Sequence, residues 1–441
     1  MLKVVKFGGS SLADATQFKK VKAIIVADPA RTVVVVSAAG KRDSSDHKMT
    51  DLLYLIHAHL QFGFPYQDII AIISDRLKEI RTDLHLDYAI EDDLDAIFSG
   101  ISKNISIDEL VSRGEYLTAK LMASYLGFTL IDASSCVFFS YDGQVDVTKT
   151  YEAIKDAYRV HRKIVIPGFY GSLPNHKIKI MSRGGSDISG ALAAAALDAQ
   201  IYENWTDVSG ILMADPRIVD TPKAIRRMTY AELRELSFLG ASVLHEESIM
   251  PIKLKQIPLQ IRNTNEPDHP GTLIQEKFEN EEDTDEDDRF ITGIAGRTGF
   301  YVITIYKEQI LVNTSIVRKT LEIFDDFNVP IEHINLGLDS FMLTVSSAQI
   351  RDRLYDVVGK IQSECNPDTL EIEENIAMIA CVGRRMRYRP GISGKLFSAL
   401  GKNGINIRII TQGTNEISII VGVESKSYND TVRVIYDSFV G

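Results

Sequence analysis

Two short stretches of the chain hold residues that could handle phosphate. The first, KVVKFGGSS from Lys3, places Lys6 in an apolar run two residues ahead of the pair Gly8–Gly9. Glycine lacks the Cβ that would hold a bulky anion away from main-chain N–H groups, and an ammonium aimed at the same place adds charge. The second, IKIMSRGGSDISGALAAAAL from Ile178, repeats the device: Arg183, the pair Gly184–Gly185, then Ser186 and Asp187 at the start of an Ala-rich helix. Helix N-termini attract anions through unpaired N–H groups and the macrodipole. Each stretch also has a plainer reading, since a glycine pair after a strand makes a turn and Asp187 is an ordinary helix cap. Together they offer cations for oxyanions and a carboxylate to orient a cation, which suits phosphoryl transfer to an acidic acceptor. A complete Walker A sequence and a GxGxxG opening a helix are both absent, and GISGK at Gly391–Lys395 is too short to replace them.

The elements that must position these residues follow from apolar patterning. KVVKF, RTVVVVSA, FTLIDA, KIVIPGF, IKIMS, QIYENWT and PLQIRN are short, rich in β-branched residues and mostly apolar on both faces, the mark of buried, largely parallel strands. Helix-period segments lie between them. One opens with Ser106-Ile107-Asp108-Glu109, a capping box ahead of LVSRGEYLTAKLMASYL. Residues 50–104 show helical periodicity and no strand, so a helical insertion beside the sheet is expected. The composition fits an ordinary globular chain: 441 residues, 45% hydrophobic. A formal charge of −11 argues against nucleic acid as a partner. Neither a membrane span nor a signal peptide is visible, so the expected location is cytoplasmic. Cys136, Cys365 and Cys381 lack metal-site or disulfide spacing and read as reduced thiols, and no protein metal site is expected.

At EKFENEEDTDEDDR, nine acids stand against two bases and almost nothing can be buried, so residues 276–289 read as a solvated acidic linker. Beyond it the chain repeats. NVPIEHINLGLDSFMLTV from Asn328 parallels NGINIRIITQGTNEISIIV from Asn403, each a hairpin preceded by a helix. The first copy has strand, helix, strand, strand, helix, strand, whereas the second lacks a sixth element, for which FITGIAGR after the linker is the candidate donor. The expected architecture is α/β: residues 1–275 as a mainly parallel sheet between helices, 299–374 as a first module, inserted in a second made of 290–298 plus 375–441.

The series KFGGSS, VVVVSAAG, MTDLL, SRGEYLTAKLMASYL, IPGFYG, SRGGSDISGALAAAAL, WTDVSGILMADPRIV and ASVLHEESI, in this order, resembles the aspartokinase family over nearly the whole chain, and the repeats resemble its paired, ferredoxin-like ACT domains. The resemblance implies an amino-acid-kinase fold and transfer of the γ-phosphoryl of ATP, with Mg²⁺ bound through the nucleotide phosphates, to the side-chain carboxylate of L-aspartate. The product is 4-phospho-L-aspartate, and the step is the first toward lysine, threonine and methionine. It further implies Lys6 and Asp187 as catalytic; Thr50, Glu115, Phe169, Arg183 and Ser186 as aspartate-binding; and Lys6, Phe7, Gly8, Gly9, Ser37, Thr206, Asp207, Leu212 and Arg217 as nucleotide-binding. The sequence departs from the family at Leu212, where an aromatic residue usually lies over adenine, and at Ser242, where a lysine usually touches the nucleotide. The lost charged contact is worth about 1–3 kcal/mol.

Paired ACT modules imply a homodimer or larger assembly and feedback by an amino acid. Asn313, Ser315, Pro330, Ile331, Glu332 and Asp339 offer a lining whose acids would suit lysine, and the plainer reading of Glu332 and Asp339 is as solvated hairpin charges. Two other readings stay open, an amino-acid sensor with a weakened kinase site and a related kinase with another acidic substrate. A fused homoserine dehydrogenase is not expected, because the chain soon ends and has no dinucleotide fingerprint.

Overall fold

Runs of valine and isoleucine apolar on both faces lead to central strands, since only strands covered on both sides bury every second and every intervening residue. In a computed structural model of the chain, Val4, Val5 and Val33 to Val36 are all fully buried. The structure describes residues 2–182, 184–240, 244, 246–278, 291–308, 310 and 314–441. Two compact units emerge, one made of Met1–Ile211, Ala224–Ala231 and Ser242–Glu281, the other of Leu212–Lys223, Glu232–Ala241 and Glu282–Gly441.

The first unit contains strands β1 (Lys3–Phe7), β2 (Arg31–Val36), β3 (Thr129–Leu130), β4 (Ile164–Pro167), β5 (Tyr170–Ser172), β6 (Ile178–Ile180), β7 (Ile201–Thr206), β8 (Arg227–Thr229), β9 (Leu259–Asn263) and β10 (Thr272–Gln275). Eight of them form one sheet in the order β3-β4-β2-β1-β7-β9-β10-β8. The run from β3 to β9 is parallel throughout, and β10 turns antiparallel against β9. β1 lies between β2 and β7, so the chain crosses over in opposite directions on its two sides. Such a switch point leaves a crevice at the carboxyl ends of the strands.

IKIMS departs from the expectation of a buried parallel strand. β6 pairs only with β5, as a two-stranded antiparallel hairpin outside the main sheet, and its residues are half-buried. Lys179 between Ile178 and Ile180 gives the alternation of a strand covered on one face, and this alternation rather than composition decides the outcome.

Residues 50–104 are helical where described: Met49–Phe62, Gln67–Asp83 and Ile90–Phe98. They share a core with the helices Ala15–Val26 and Ile107–Leu126, including Leu53, Ile56, Ile73, Leu77 and Leu117. The Ser106 hydroxyl accepts the Glu109 amide at 3.1 Å and so caps Ile107–Leu126.

The second unit holds one six-stranded antiparallel sheet of β11 (Gly293–Tyr306), β12 (Ile331–Leu336), β13 (Ser340–Ser346), β14 (Thr369–Val382), β15 (Ile409–Gln412) and β16 (Ser418–Glu424), ordered β12-β13-β11-β14-β16-β15. GIAGR and FYVITIY, distinct in the sequence reading, are one 14-residue strand, and so are TLEIEE and IAMIACV. Gly293 to Thr298 pair with Val382 to Ala377, while Val302 to Tyr306 pair with Glu373 to Thr369. The ladder is irregular between Thr298 and Val302, where Gly299 (φ +86°) and Asn375 (φ +60°) take left-handed conformations. Each module thus lends a strand to a shared sheet.

Two segments that the sequence assigns to 1–275 fold with this second unit. Ile294 donates to the Met213 carbonyl (2.7 Å), Arg433 Nε to that of Ile218 (2.9 Å), and the Lys223 amide to the Tyr436 hydroxyl (2.9 Å). Glu232, fully buried, accepts the Arg384 amide at 2.8 Å and also pairs with its guanidinium at 3.3 Å. Most of the acidic linker, 279–289, lies outside the described residues.

Candidate active site

Parallel register brings the ends of four strands level. Phe7 pairs with Val36 and Trp205, and Val36 with Pro167. Beyond these ends the ladder continues into the loops: the amides of Ser37, Gly168, Gly8 and Thr264 donate to the carbonyls of Phe7, Val36, Trp205 and Thr206 at 2.8–3.1 Å. Ser37, Gly8, Gly9, Phe169 and Thr206 therefore line one edge of the sheet.

Lys6 points to the face covered by the helix Gly185–Ala196, and strand alternation sends Phe7 to the other, where it is fully buried and stacked on Trp205 at 6.0 Å. Phe7 can thus meet a ligand only through its main chain. The Lys6 ammonium lies 2.5 Å from Asp187 Oδ1, with side-chain exposures of 9% and 16%. Asp187 is therefore not the cap of its helix. That position belongs to Gly184, whose φ of +75° is one glycine adopts without strain, and Asp187 sits in the first turn with its carboxylate on the lysine.

Asn204, on β7 directly beside Lys6, completes the cluster, and the sequence reading missed it. Its Nδ2 donates to Asp187 Oδ1 at 2.9 Å, and Lys6 Nζ reaches its Oδ1 at 3.4 Å. Three polar groups, one from each of two adjacent strands and one from a helix N-terminus, fix an ammonium at the switch point. The available signal was a polar pair, Glu203 and Asn204, inside a strand read as buried.

The glycines also have a packing role. The Gly8 amide is already engaged by the Trp205 carbonyl. A Cβ on Gly9 would lie 2.9 Å from the Ala38 carbonyl oxygen, and one on Gly40 would lie 2.4 Å from the Gly9 carbonyl carbon. A Cβ on Gly185 would lie 2.7 Å from the Phe169 ring. These residues let neighbouring loops touch. Phe169 takes a left-handed φ of +78°, held by its amide on Ser189 Oγ (3.0 Å) and its carbonyl under the Met181 amide (2.7 Å). Strain of this kind costs on the order of 1–3 kcal/mol and occurs at functional sites. Ser186 is buried at the same helix start.

Glu115 is the most unusual acid in the unit. Gly114 lets the helix Ile107–Leu126 press against the β2 loop and the helix Met49–Phe62, because a Cβ there would stand 3.0 Å from the Ala38 Cβ and 3.2 Å from Leu53. Glu115 is consequently buried, and its Oε2 has no hydrogen-bond partner. Burial pushes its carboxyl up to about 8, against the lowering effect of its own main chain and that of Ala38. At neutral pH burial therefore favours the uncharged, protonated form of this carboxyl. Thr50 stands half-buried in the first turn of Met49–Phe62.

The remaining sequence candidates are dispersed. Thr206 donates to the exposed Asp207 at 3.1 Å. Leu212, half-buried, and Arg217, 88% exposed and paired with Asp215 at 2.6 Å, belong to the second unit. Also in that unit, Glu332 is not an open acid: its carboxylate, 11% exposed, accepts from Arg297. Ser315 begins a helix, Pro330 and Ile331 precede and open β12, and Asp339 accepts the Lys307 amide on its carbonyl at 2.9 Å. Arg183, Asn313 and Ser242 lie outside the described residues. Among the described residues, no cluster of three or more histidine, cysteine or acidic side chains could hold a metal ion, and no helix is long and apolar enough to cross a membrane.

The sequence matches the amino acid kinase family over residues 1–263 and an ACT domain over 379–439. It is 33% identical to aspartokinase 3 of Bacillus subtilis, over 99% of this chain and 98% of that protein. Among solved structures, the aspartate kinase of Clostridium acetobutylicum, described as an allosteric enzyme, is 45% identical, with a TM-score of 0.89 and 99% of both chains covered. Escherichia coli aspartokinase III in complex with aspartate and ADP shares the fold at 24% identity, with a TM-score of 0.79 and 100% of both chains covered.

Proposed function

The chain belongs to the aspartokinases of the amino acid kinase family, and from that membership we propose how its residues divide the work of passing the γ-phosphoryl of MgATP to the side-chain carboxylate of L-aspartate. The observation that carries the reading is the Lys6–Asp187–Asn204 cluster at the switch point. Lys6 neutralises charge on the transferring phosphoryl, and Asp187, steadied by Asn204, fixes the lysine and faces the substrate ammonium. No strong base is needed, because the acceptor carboxylate is already ionised at neutral pH. Glu115 takes the aspartate amino group. Thr50, Ser186 and Phe169 complete the acceptor pocket, and Arg183 clamps its α-carboxylate as a bidentate pair. The loops of Gly8–Gly9, Ser37 and Thr206–Asp207 receive the nucleotide, and Mg²⁺ enters held by its phosphates.

The test is trapping of the acyl phosphate. Purified protein with MgATP, aspartate and hydroxylamine should form the hydroxamate, and Lys6→Ala and Asp187→Ala should each reduce its rate on the order of 10²–10³-fold with folding intact. No product from the native chain, or full rates from both variants, would overturn the reading.

The same proposal includes cytoplasmic biosynthesis of lysine, threonine and methionine, and lysine as the effector, bound around Asn313, Ser315, Pro330, Ile331, Glu332 and Asp339. On this reading the lysine ammonium displaces the Arg297 guanidinium, which already occupies the Glu332 carboxylate. Linkage requires aspartate or ATP to weaken lysine binding by the factor with which lysine weakens theirs. Calorimetry that found threonine but not lysine bound would remove the lysine assignment alone. Assembly through the second unit is supported by Ile334 and Leu336 on β12 and Leu338 in the turn after it, exposed by 46%, 51% and 72%.

A further inference from the structure

The helical insertion supplies one residue whose burial contrasts with what it touches. Arg76, on Gln67–Asp83, is 2% exposed, yet the segment 41–48 that it meets is exposed except at Asp46. Its guanidinium donates to the carbonyls of Gly40 (3.2 Å) and His47 (3.0 Å) and to Asp46 Oδ1 (2.5 Å). Asp46 in turn accepts the amides of Arg42 (3.0 Å) and His47 (2.9 Å). Burying a guanidinium is costly unless its donors are satisfied; here both terminal nitrogens are bonded while Nε has no partner, and two of the three acceptors are main-chain carbonyls. The interaction therefore fixes the path of a loop. Its outer companion, Arg42 with Glu79 at 3.2 Å, is exposed on both sides and adds little.

What that loop connects gives the clasp its consequence. Its first half is secured without Arg76: Ser37 on the Phe7 carbonyl (3.1 Å), Ala39 on Thr118 Oγ1 (3.2 Å), Gly40 on the Gly9 carbonyl (2.8 Å). Its second half runs to Thr50 and is tied back by the clasp and by the Met49 amide on Ala39 (3.4 Å). We infer that Arg76 is a positioning residue for the acceptor side of the site: through Asp46 and the Gly40 and His47 carbonyls it sets the approach of Thr50 and the wall behind Glu115, leaving the nucleotide side independent. This gives the insertion a task in aspartate recognition, and it rests on the aspartokinase reading.

Kinetics of hydroxamate formation, with aspartate and ATP varied separately, test it. Arg76→Ala should raise the aspartate KM about tenfold or more, while the ATP KM and kcat stay within about threefold. Asp46→Asn, which keeps an acceptor but loses the charge, should shift the aspartate KM in the same direction by less, and Arg76→Lys should recover part of the loss. Hydrogen exchange should quicken in 41–50 with Gln67–Asp83 still protected. An equal fall in kcat at unchanged aspartate KM, or exchange rising throughout the unit, would overturn the inference. If Arg76→Ala does not fold, Asp46→Asn and Arg76→Lys decide, and unchanged aspartate KM in both overturns it. A native chain that forms no hydroxamate overturns the aspartokinase reading and this inference with it.

Discussion

Replacing Glu115 by glutamine removes a titrating group while keeping its shape, and the structure fixes the size of the effect. Burial raises the Glu115 carboxyl from 4.5 to about 8. The folded chain then holds a proton that the unfolded chain releases throughout that interval, so this group's contribution to stability is complete below pH 4.5 and is lost as pH rises through 8. A gap of about 3.5 pH units at 1.36 kcal/mol per unit amounts to roughly 5 kcal/mol, of which about 3 falls between pH 5.5 and 8.5. Urea unfolding of the native chain and of Glu115→Gln at those two pH values should show the native chain losing about 3 kcal/mol relative to the variant. The same displacement has a binding signature. At pH 7 about nine-tenths of Glu115 is protonated, and an aspartate ammonium arriving at it favours the ionised form, so binding should release close to one proton. Calorimetry in phosphate and in Tris should give different apparent enthalpies for the native chain and equal ones for Glu115→Gln. Parallel stability curves for the two proteins would show that the carboxyl is solvated or paired, and the argument would fail.

Asn204→Ala should lower kcat by about tenfold with little change in the KM of either substrate, since it removes one hydrogen bond, worth ~1–1.5 kcal/mol, from the carboxylate that holds Lys6; an unchanged kcat would separate Asn204 from the chemistry. Gly40→Ala, with its Cβ 2.4 Å from the Gly9 main chain, should cost about 1–3 kcal/mol in chemical denaturation and impair both substrates together, whereas loss confined to one substrate would contradict the contact described.

Lys6 and Asp187 could be found in the sequence because each stands at a strand-to-helix junction whose shape depends on its immediate neighbours. The capping serine at Ser106, the helical insertion and the two repeats were legible for the same reason: each expresses a period or a cap within about twenty residues. Asn204 could not be found that way, since it lies 198 residues from Lys6 and meets it only because β1 and β7 pair in parallel at one register. Arg76 reads as one more charge on an amphipathic helix until the β2 loop is laid over it. The glycine pairs were visible, but their reason was not, because the atoms that exclude a Cβ come from other loops. The composition of IKIMS suggests a buried parallel strand, but pairing and burial follow its alternation at Lys179, and the two long strands of the second sheet read as separate pieces because a left-handed residue interrupts each pattern. Local chemistry along the chain thus determined the kind of residue present and the element carrying it. The tertiary structure decided which groups meet, because strand crossovers and close loop contacts set distances that no local pattern encodes.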